Sequence, residues 1–486
     1  MKTLPIMMLG LGTALVLVLT LGIAGGRIPT GVVGEWTWLK IPFSPNLGGL
    51  TLGLAVVVAY ALFAGLGWRG VARKGRARTF WLVGLTGGSA LTQLALTSAA
   101  PIGYDFAKWS FALYSPGSSG YYTVAKQQVS ADPRRFLAEY PAWIKGQDAL
   151  HVGTHPPGLF MTSYAMLRLM EKFPSLARVI CDFLPRSLDE GYRQLDALSR
   201  LPRADRAAMA ATGLLMLLAC SATVLPIYAL ARISVEPRAA WCAAALWPVV
   251  PSSILFGPGA DTAFPLLATL ALALTGWSGV RRGRLGFGLA IGAGLALGVG
   301  TLFTLAFFPV GLIAGLILGS ARLGIRPRLE RIGAVGGGFL AIVLLFWAIT
   351  GANPFVVWWW NQANHGRFYV EYPRTYWIWI FVNVLELAVG LGLPIFVWAL
   401  AGLGPRTLIP RPVWAGVGVL ILLNLSGKNL SEVARIWLIF MPTLVIAAGW
   451  GMARLGGGAR TLGATIVLTG LQTMALQVLI QVVYPT

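Results

Sequence analysis

Charge is what this chain has least of. Only 11% of its residues are Asp, Glu, Lys or Arg, against roughly 25% in a soluble domain. Three cysteines are too few for a disulfide framework. Cys220 and Cys242 fall in apolar runs and Cys181 lies alone in a polar segment, so each reads as a small apolar filler. The three histidines, His151, His155 and His365, offer no close-spaced ligand pair. His151 and His155 would share a face only in a helix, and Pro156 disfavours helix at His155. No metal site stands out, although a divalent cation held by carboxylates at Asp105 and Asp261 stays open. Glycine-rich nucleotide fingerprints, internal repeats and low-complexity stretches are absent. So are the alternating ten-residue segments of an outer-membrane barrel.

What the chain has is apolar length. Of its 486 residues 56% are hydrophobic, and the mean hydropathy is +0.72. Spans of about 20 apolar residues are needed to cross a bilayer, and thirteen runs fit: about 5–25, 48–67, 79–99, 207–231, 239–255, 263–279, 285–302, 303–319, 332–350, 376–400, 413–425, 436–452 and 461–483. The expected fold is all-α, a polytopic helical membrane protein with about 13 transmembrane helices and a large external loop carrying juxtamembrane helices. The run from Pro5 to Gly25 is too long for a typical signal-peptide core, and no clean cleavage site follows, so it reads as a retained first span.

The net charge of +21 would suit nucleic acid, but its distribution argues against that partner. Half of the 38 lysines and arginines fall at the N-terminus or in short loops on one side of the span assignment. Arg69–Arg78 and Arg281-Arg282-Gly283-Arg284 are typical, and they read as positive-inside signals. Met1 is then cytoplasmic, and residues 100–206, 256–262, 351–375 and 426–435 are external. Ten of the 17 acids lie between Asp105 and Asp205, and all three histidines are external. The segment 351–375 interleaves aromatics with polar groups, as in Trp358-Trp359-Trp360-Asn361-Gln362 and His365-Gly366-Arg367-Phe368-Tyr369-Val370-Glu371-Tyr372. It reads either as an interfacial aromatic belt or as a platform for sugar or lipid.

The most informative motif is Thr154-His155-Pro156-Pro157-Gly158-Leu159-Phe160, which opens an amphipathic stretch ending near Phe173. It closes the one large polar loop, early in the chain. Before it, the run 79–99 leads to Ile102-Gly103-Tyr104-Asp105, and Gly120-Tyr121-Tyr122-Thr123-Val124-Ala125 follows. After it, Ala207–Arg232 forms a span, and Ala239–Phe256 leads to Gly257-Pro258-Gly259-Ala260-Asp261-Thr262. This order resembles the GT-C superfamily of glycosyltransferases, which includes the protein O-mannosyltransferases and the lipid A aminoarabinose transferases. In that family an acid follows the first external span entry, then an aromatic segment, then a (His/Lys)-Pro-Pro element. The resemblance covers roughly residues 79–350. It implies three regions: an N-terminal hairpin 1–78, a catalytic module 79–350 and C-terminal helices 351–486. One departure stands out. Where the family has an acid beside its Tyr-x-x-x-Ala segment, this chain has Ser118-Ser119-Gly120, so the acid is shifted or supplied from elsewhere.

The resemblance implies transfer of a sugar from a polyprenyl-phosphate carrier to an acceptor glycan, lipid or protein, in a bacterial cytoplasmic membrane with the site facing outside. Such a reaction needs a carboxylate to take the acceptor's proton and cations on the departing phosphate. Asp105 is the first candidate for the base, with pairing to Lys108 as its structural alternative. Asp261 is the second, with helix capping as its alternative. His155 is a candidate for the phosphate or the sugar, or else a capping turn. Lys428 and Arg435, flanking Glu432, suggest a phosphate clamp, since arginine binds phosphate bidentately; a Glu432–Arg435 surface pair is the plainer reading. Tyr104, Tyr121, Tyr122, His365, Arg367 and Glu371 complete the candidate substrate-binding set. Glu386, with Asn383 one turn earlier, is a carboxylate within an apolar run, where acids are costly and point to function. A transporter or lipid flippase is the competing class, and a polysaccharide polymerase or ligase is a third.

Overall fold

A computed structural model describes residues 3–73, 75–404 and 408–482. The chain is helical almost throughout. Among the described residues, eight helices are long and apolar enough to cross a membrane: Thr3–Ala24, Leu47–Gly70, Arg203–Ala231, Ala260–Ser278, Gly283–Thr301, Ile325–Thr350, Val433–Arg454 and Ala459–Leu479. A ninth is counted if Pro354–Glu371 and Tyr376–Leu391, bent by 108° at their junction, form one broken span.

The run 79–99 forms one continuous helix, Arg76–Ser98; the remaining apolar runs form shorter or interrupted helices, for local reasons. The run 239–255 divides at Pro248 and Pro251 into Pro237–Leu246, a 3₁₀ turn and Pro251–Leu255, because each proline removes a backbone donor. The run 376–400 breaks at Gly392, whose φ of 96° ends Tyr376–Leu391 before Leu393–Gly402 begins. Phe307–Gly319 and Arg411–Leu425 are apolar but short. The segment 351–375, expected as a loop, is mostly the helix Pro354–Glu371. Asn353 caps it by accepting from Phe355 N at 2.9 Å.

Small residues let the helices approach. A Cβ on Gly294 would lie 2.1 Å from the Val335 carbonyl, and one on Gly338 would lie 2.5 Å from the Ile291 carbonyl. The helices Gly283–Thr301 and Ile325–Thr350 are therefore in backbone contact, as small-residue interfaces in membranes allow. Large indoles fill the core, and the most deeply buried of them find acceptors for their N–H groups. Trp241 donates to the Ala64 carbonyl and Trp247 to the Cys220 carbonyl, both at 2.8 Å. Trp398 donates to Thr465 Oγ1 at 3.1 Å.

Two further features position the site. Residues 100–206 fold into short helices: Lys108–Tyr114, Tyr121–Val124 running into a π turn Ala125–Val129, Pro133–Lys145, Gly158–Lys172, Pro174–Asp182 and Arg186–Ser199. The stretch after His155-Pro156-Pro157 is the helix Gly158–Lys172, packed on Arg203–Ala222. Residues 31–40 form strands. Gly31–Val32 pairs with Trp36–Thr37, and Leu39–Lys40 pairs antiparallel with Ile480–Gln481 just past the last helix.

Candidate functional site

A cavity of about 300 Å³ opens where these segments meet, at the lower end of the roughly 300–1,000 Å³ typical of ligand sites. Its walls come from regions far apart in sequence: Trp36 and Trp38, Ser118, Ser119 and Tyr121, His151, Asp261, Phe368, Tyr372 and Arg374, and Glu432 and Arg435.

Arg435 is the hub. Its Nη2 lies 2.6 Å from Glu432 Oε2 and its Nη1 lies 3.5 Å from Asp261 Oδ2, and all three side chains are between 22% and 24% exposed. The guanidinium is thus fixed in orientation yet open to the cavity. Asp261 sits in the 3₁₀ turn Ala260–Thr262. It does not cap the following helix, whose N-cap is Ala263 with no side-chain bond, so its carboxylate is turned to Arg435. Glu432 and Arg435 form the expected i, i+3 pair, but Asp261 makes it a triad.

The backbone carrying Arg435 is strained. Ser431 and Glu432 have φ of 77° and 54°, a conformation that costs non-glycine residues of order 1–3 kcal/mol each. The helix Tyr376–Leu391 holds it there. Asn383 Oδ1 accepts from Ser431 N at 3.3 Å, and Glu386 Oε1 accepts from Ala434 N at 3.1 Å. Asn383 Nδ2 also donates to Asn424 Oδ1 at 2.9 Å and to the Asn429 carbonyl at 2.8 Å. Glu386 and Asn383 therefore serve the site by fixing the turn that presents Arg435.

On the opposite wall, the ring of Tyr121 stacks edge-on against His155 at 5.6 Å and Phe160 at 5.4 Å. Burial, reinforced by Asp261 and opposed by Arg435, keeps the Tyr121 phenol protonated well above its ordinary range. His155 Nδ1 lies 3.1 Å from the His151 carbonyl. The Thr154 hydroxyl lies at the same 3.1 Å from Nδ1; the tautomer with the proton on Nδ1 donates to the carbonyl and leaves Nε2 as an acceptor. Burial lowers the His155 pKa, with Asp261 opposing, and pushes His151 well below the usual imidazole range, with Arg435 and His155 adding to the effect. The turn itself is clamped from three directions. Asn361 Nδ2 donates to the carbonyls of Gly153 at 3.0 Å and His155 at 3.1 Å. Asn364 Nδ2 donates to Gly153 and Ile144, both at 2.9 Å. Tyr140 OH donates to the His155 carbonyl at 2.7 Å.

The other sequence candidates lie elsewhere. Asp105 is buried but does not line the cavity. It accepts from Ala107 N at 3.2 Å, beside Lys108. That lysine is 1% exposed and donates to the Leu255 carbonyl at 3.2 Å. Burial, partly offset by Asp105, lowers its pKa to about 8. Tyr104 is half-buried in the turn before Asp105. Tyr122 donates to Asp205, which also pairs with Lys126. Lys428 is exposed, and its carbonyl accepts from Tyr369 OH at 3.1 Å and lies 2.9 Å from His365 Nε2. Arg367 donates to the Gln147 carbonyl, and Glu371 is exposed at its helix end. In the 351–375 segment, Trp358 packs on Phe308 and Phe339 while Trp359 is 69% exposed.

Arg374, Trp36 and Trp38 belong to the cavity, and sequence reasoning did not single them out. Arg374 Nε donates to Ser431 Oγ at 3.3 Å, and its guanidinium lies 5.6 Å from the centre of the Phe368 ring. Glu35 ties the Trp36 strand to the bent helix pair. It accepts from Thr375 N at 2.9 Å, from the Thr375 hydroxyl at 2.5 Å and from Trp379 Nε1 at 2.6 Å. The alternation Trp36-Thr37-Trp38 is the signal that a strand places both indoles on one face.

Among the described residues, no group of three or more His, Cys, Asp or Glu is arranged to hold a metal ion. No protein-family model matches the chain, and no curated protein is significantly similar to it. Fold and composition define a multi-spanning helical membrane protein.

Proposed function

We propose that the chain is a membrane glycosyltransferase of GT-C type, with its cavity on the external face, moving a sugar from a polyprenyl-phosphate carrier to a hydroxyl of an acceptor glycan, lipid or protein. One observation carries the reading. A carboxylate, Asp261, and two guanidiniums, Arg435 and Arg374, share a cavity with the indoles of Trp36 and Trp38, above helices that reach the membrane. Parts of the folded segment 100–206, around Ser118, Tyr121 and His151, wall that cavity, which supports an enzyme over a transporter, although Asp105 itself lies outside the lining.

In this reading Asp261 takes the proton of the acceptor hydroxyl as the oxygen attacks the anomeric carbon. The bond from that carbon to the carrier phosphate breaks, and the phosphate leaves on the lipid with its charge held by Arg435 and Arg374. Tyr121 donates a hydrogen bond and His155 Nε2 accepts one. The indoles offer faces for the sugar ring. Asp105, outside the cavity lining, is the alternative base.

The test is turnover by the purified protein with a panel of polyprenyl-phosphate sugars, scored by donor consumption. Asp261→Asn should keep the fold and lose about 10²–10⁴-fold in turnover, the usual contribution of a general base. Arg435→Ala should raise KM more than it lowers kcat, because a phosphate contact is lost in ground and transition states alike. Full activity in both Asp261→Asn and Asp105→Asn removes the mechanism. A transporter is the second reading, and the 108° break between Pro354–Glu371 and Tyr376–Leu391 favours it, since transporters build sites at broken helices. Solute or lipid movement in proteoliposomes without donor consumption would establish it.

A further inference from the structure

A second concavity lies away from the cavity, along the lipid-facing side of the bundle. It is an open groove of about 570 Å³ between Val224–Ala231, Phe264–Ser278 and Gly283–Thr301. Its walls are apolar, including Leu225, Leu266, Leu270 and Leu274, and its one charged lining residue is Arg281. The Arg281 guanidinium sits 5.2 Å from the centre of the Trp277 ring, and Trp277 is itself fixed by its N–H to the Ala229 carbonyl at 2.9 Å. Arg282 and Arg284 are exposed beside it. Glu330, in the first turns of the neighbouring helix Ile325–Thr350, is taken by Arg326 at 3.0 Å, and among the described residues no carboxylate lines the groove to neutralise the three arginines.

We infer that this groove binds an anionic glycerophospholipid, its acyl chains along the leucines and its phosphate at Arg281, with Arg282 and Arg284 flanking. The combination is specific. An apolar trough alone would accept any lipid. A basic cluster at its membrane-surface end selects for negative headgroups, as basic pockets between transmembrane helices do. Trp277 stacked under the guanidinium keeps the cation at interfacial depth. The groove is also distinct from the cavity. The span Ala260–Ser278 has 19 residues, about 28 Å at helical rise; Asp261 lies at its start and Arg281 just past its end, so the phosphate site of the groove is at the other membrane surface. A carrier reacting at Asp261 would present its phosphate at the opposite end.

Native mass spectrometry of the delipidated full-length protein tests this, with phosphatidylglycerol and phosphatidylcholine of matched acyl chains as probes. Phosphatidylglycerol should be retained in preference, with each arginine contributing about fivefold in affinity. Arg281→Gln should weaken that preference, and the triple variant Arg281→Gln, Arg282→Gln, Arg284→Gln should abolish it. Arg326→Gln, which removes one charge from the start of the neighbouring helix Ile325–Thr350, should leave it intact. Equal retention of the two lipids by the unaltered protein overturns the proposal. An equal loss in Arg326→Gln also overturns it, because surface charge in general, not the groove, would then be responsible. All these arginines are exposed, so the variants keep the packed core.

Discussion

Asn361 and Asn364 fasten one helix to the His155 turn, and their energetic coupling can be worked out from the contacts. Asn361→Leu removes two hydrogen bonds, to the Gly153 and His155 carbonyls. Neither carbonyl is orphaned, because Asn364 still serves Gly153 and Tyr140 still serves His155. The substitution also removes Asn361 Oδ1, a buried acceptor with no protein partner. The expected cost is therefore about 1–2 kcal/mol, that of ordinary hydrogen bonds lost without a stranded group. Asn364→Leu should cost a similar amount, since the Ile144 carbonyl keeps Gln147 N at 3.3 Å and Gly153 keeps Asn361. The double variant differs in kind. It leaves the buried Gly153 carbonyl without either side-chain donor, which adds a desolvation penalty of about 1–3 kcal/mol. Unfolding of the four proteins in mixed detergent–SDS micelles measures the cycle. The double variant should exceed the sum of the singles by at least 0.5 kcal/mol, the lower edge of coupling between groups sharing a partner. Additivity within about 0.3 kcal/mol, the behaviour of independent sites, would refute the shared-carbonyl reasoning.

Further outcomes follow from the same contacts. His151 has a lowered pKa in the fold, so below the ordinary imidazole value of about 6.5 the unfolded chain binds more protons than the folded one, and stability must fall as pH drops. The thermal midpoint in detergent should decline from pH 7 to pH 5, and His151→Gln should flatten that slope; an unchanged slope counts against the burial of this imidazole. Partial burial raises the Glu35 pKa, but hydrogen bonds from Thr375 and Trp379 outweigh it and hold the carboxyl below its ordinary value of 4.5. The stability that Glu35 contributes is therefore present above that value and lost as pH falls through the lowered one. A change in tryptophan emission over that acid range should disappear in Glu35→Gln. Topology is testable by cysteine labelling of intact cells: Ser118→Cys should react and Ser320→Cys should not, and the reverse pattern would invert the positive-inside reading.

Much of the fold was legible in apolar run length, which is a one-dimensional property. Helices such as Leu47–Gly70 and Ile325–Thr350 need only a long apolar stretch. The runs that come out divided carry their reason in single residues, Pro248, Pro251 and Gly392, which a hydropathy window averages away. The helix Pro354–Glu371 was hidden for another reason. Half of its buried face is polar, Asn361 and Asn364 beside Pro354 and Val357, so an apolar period does not reveal it. The strand pair between Leu39–Lys40 and Ile480–Gln481 depends on a contact across nearly the whole chain, and two-residue strands carry no pattern.

The candidate site divides along the same line. Asp261, Tyr121, Glu432 and Arg435 were visible as polar residues set beside apolar spans, and they line one cavity, with His155 packed against Tyr121 outside its lining. Asp105 has the same sequence appearance, yet its carboxylate is spent on Ala107 N beside a buried Lys108. Sequence spacing does not say which way a side chain turns at a helix entry. The remaining choice, transferase or transporter, turns on the bent pair Pro354–Glu371 and Tyr376–Leu391. A hinge for alternating access needs a few residues free to change φ and ψ while their neighbours slide. This bend is braced instead. Glu35 holds Thr375 and Trp379, Tyr376 OH donates to the Leu425 carbonyl at 2.7 Å, and Arg374 binds Ser431. Asn361, Asn364 and Asn383 fix the two arms to other segments. Releasing the bend would strand several of these groups at once, so the contacts favour a rigid frame around the cavity, as catalysis by preorganised charge requires. Bridging the bend with a short bifunctional methanethiosulfonate between Arg374→Cys and Ser431→Cys separates the two readings. A transferase should retain its catalytic residues in place and lose only the Arg374 contribution to donor binding, whereas a transporter should stop.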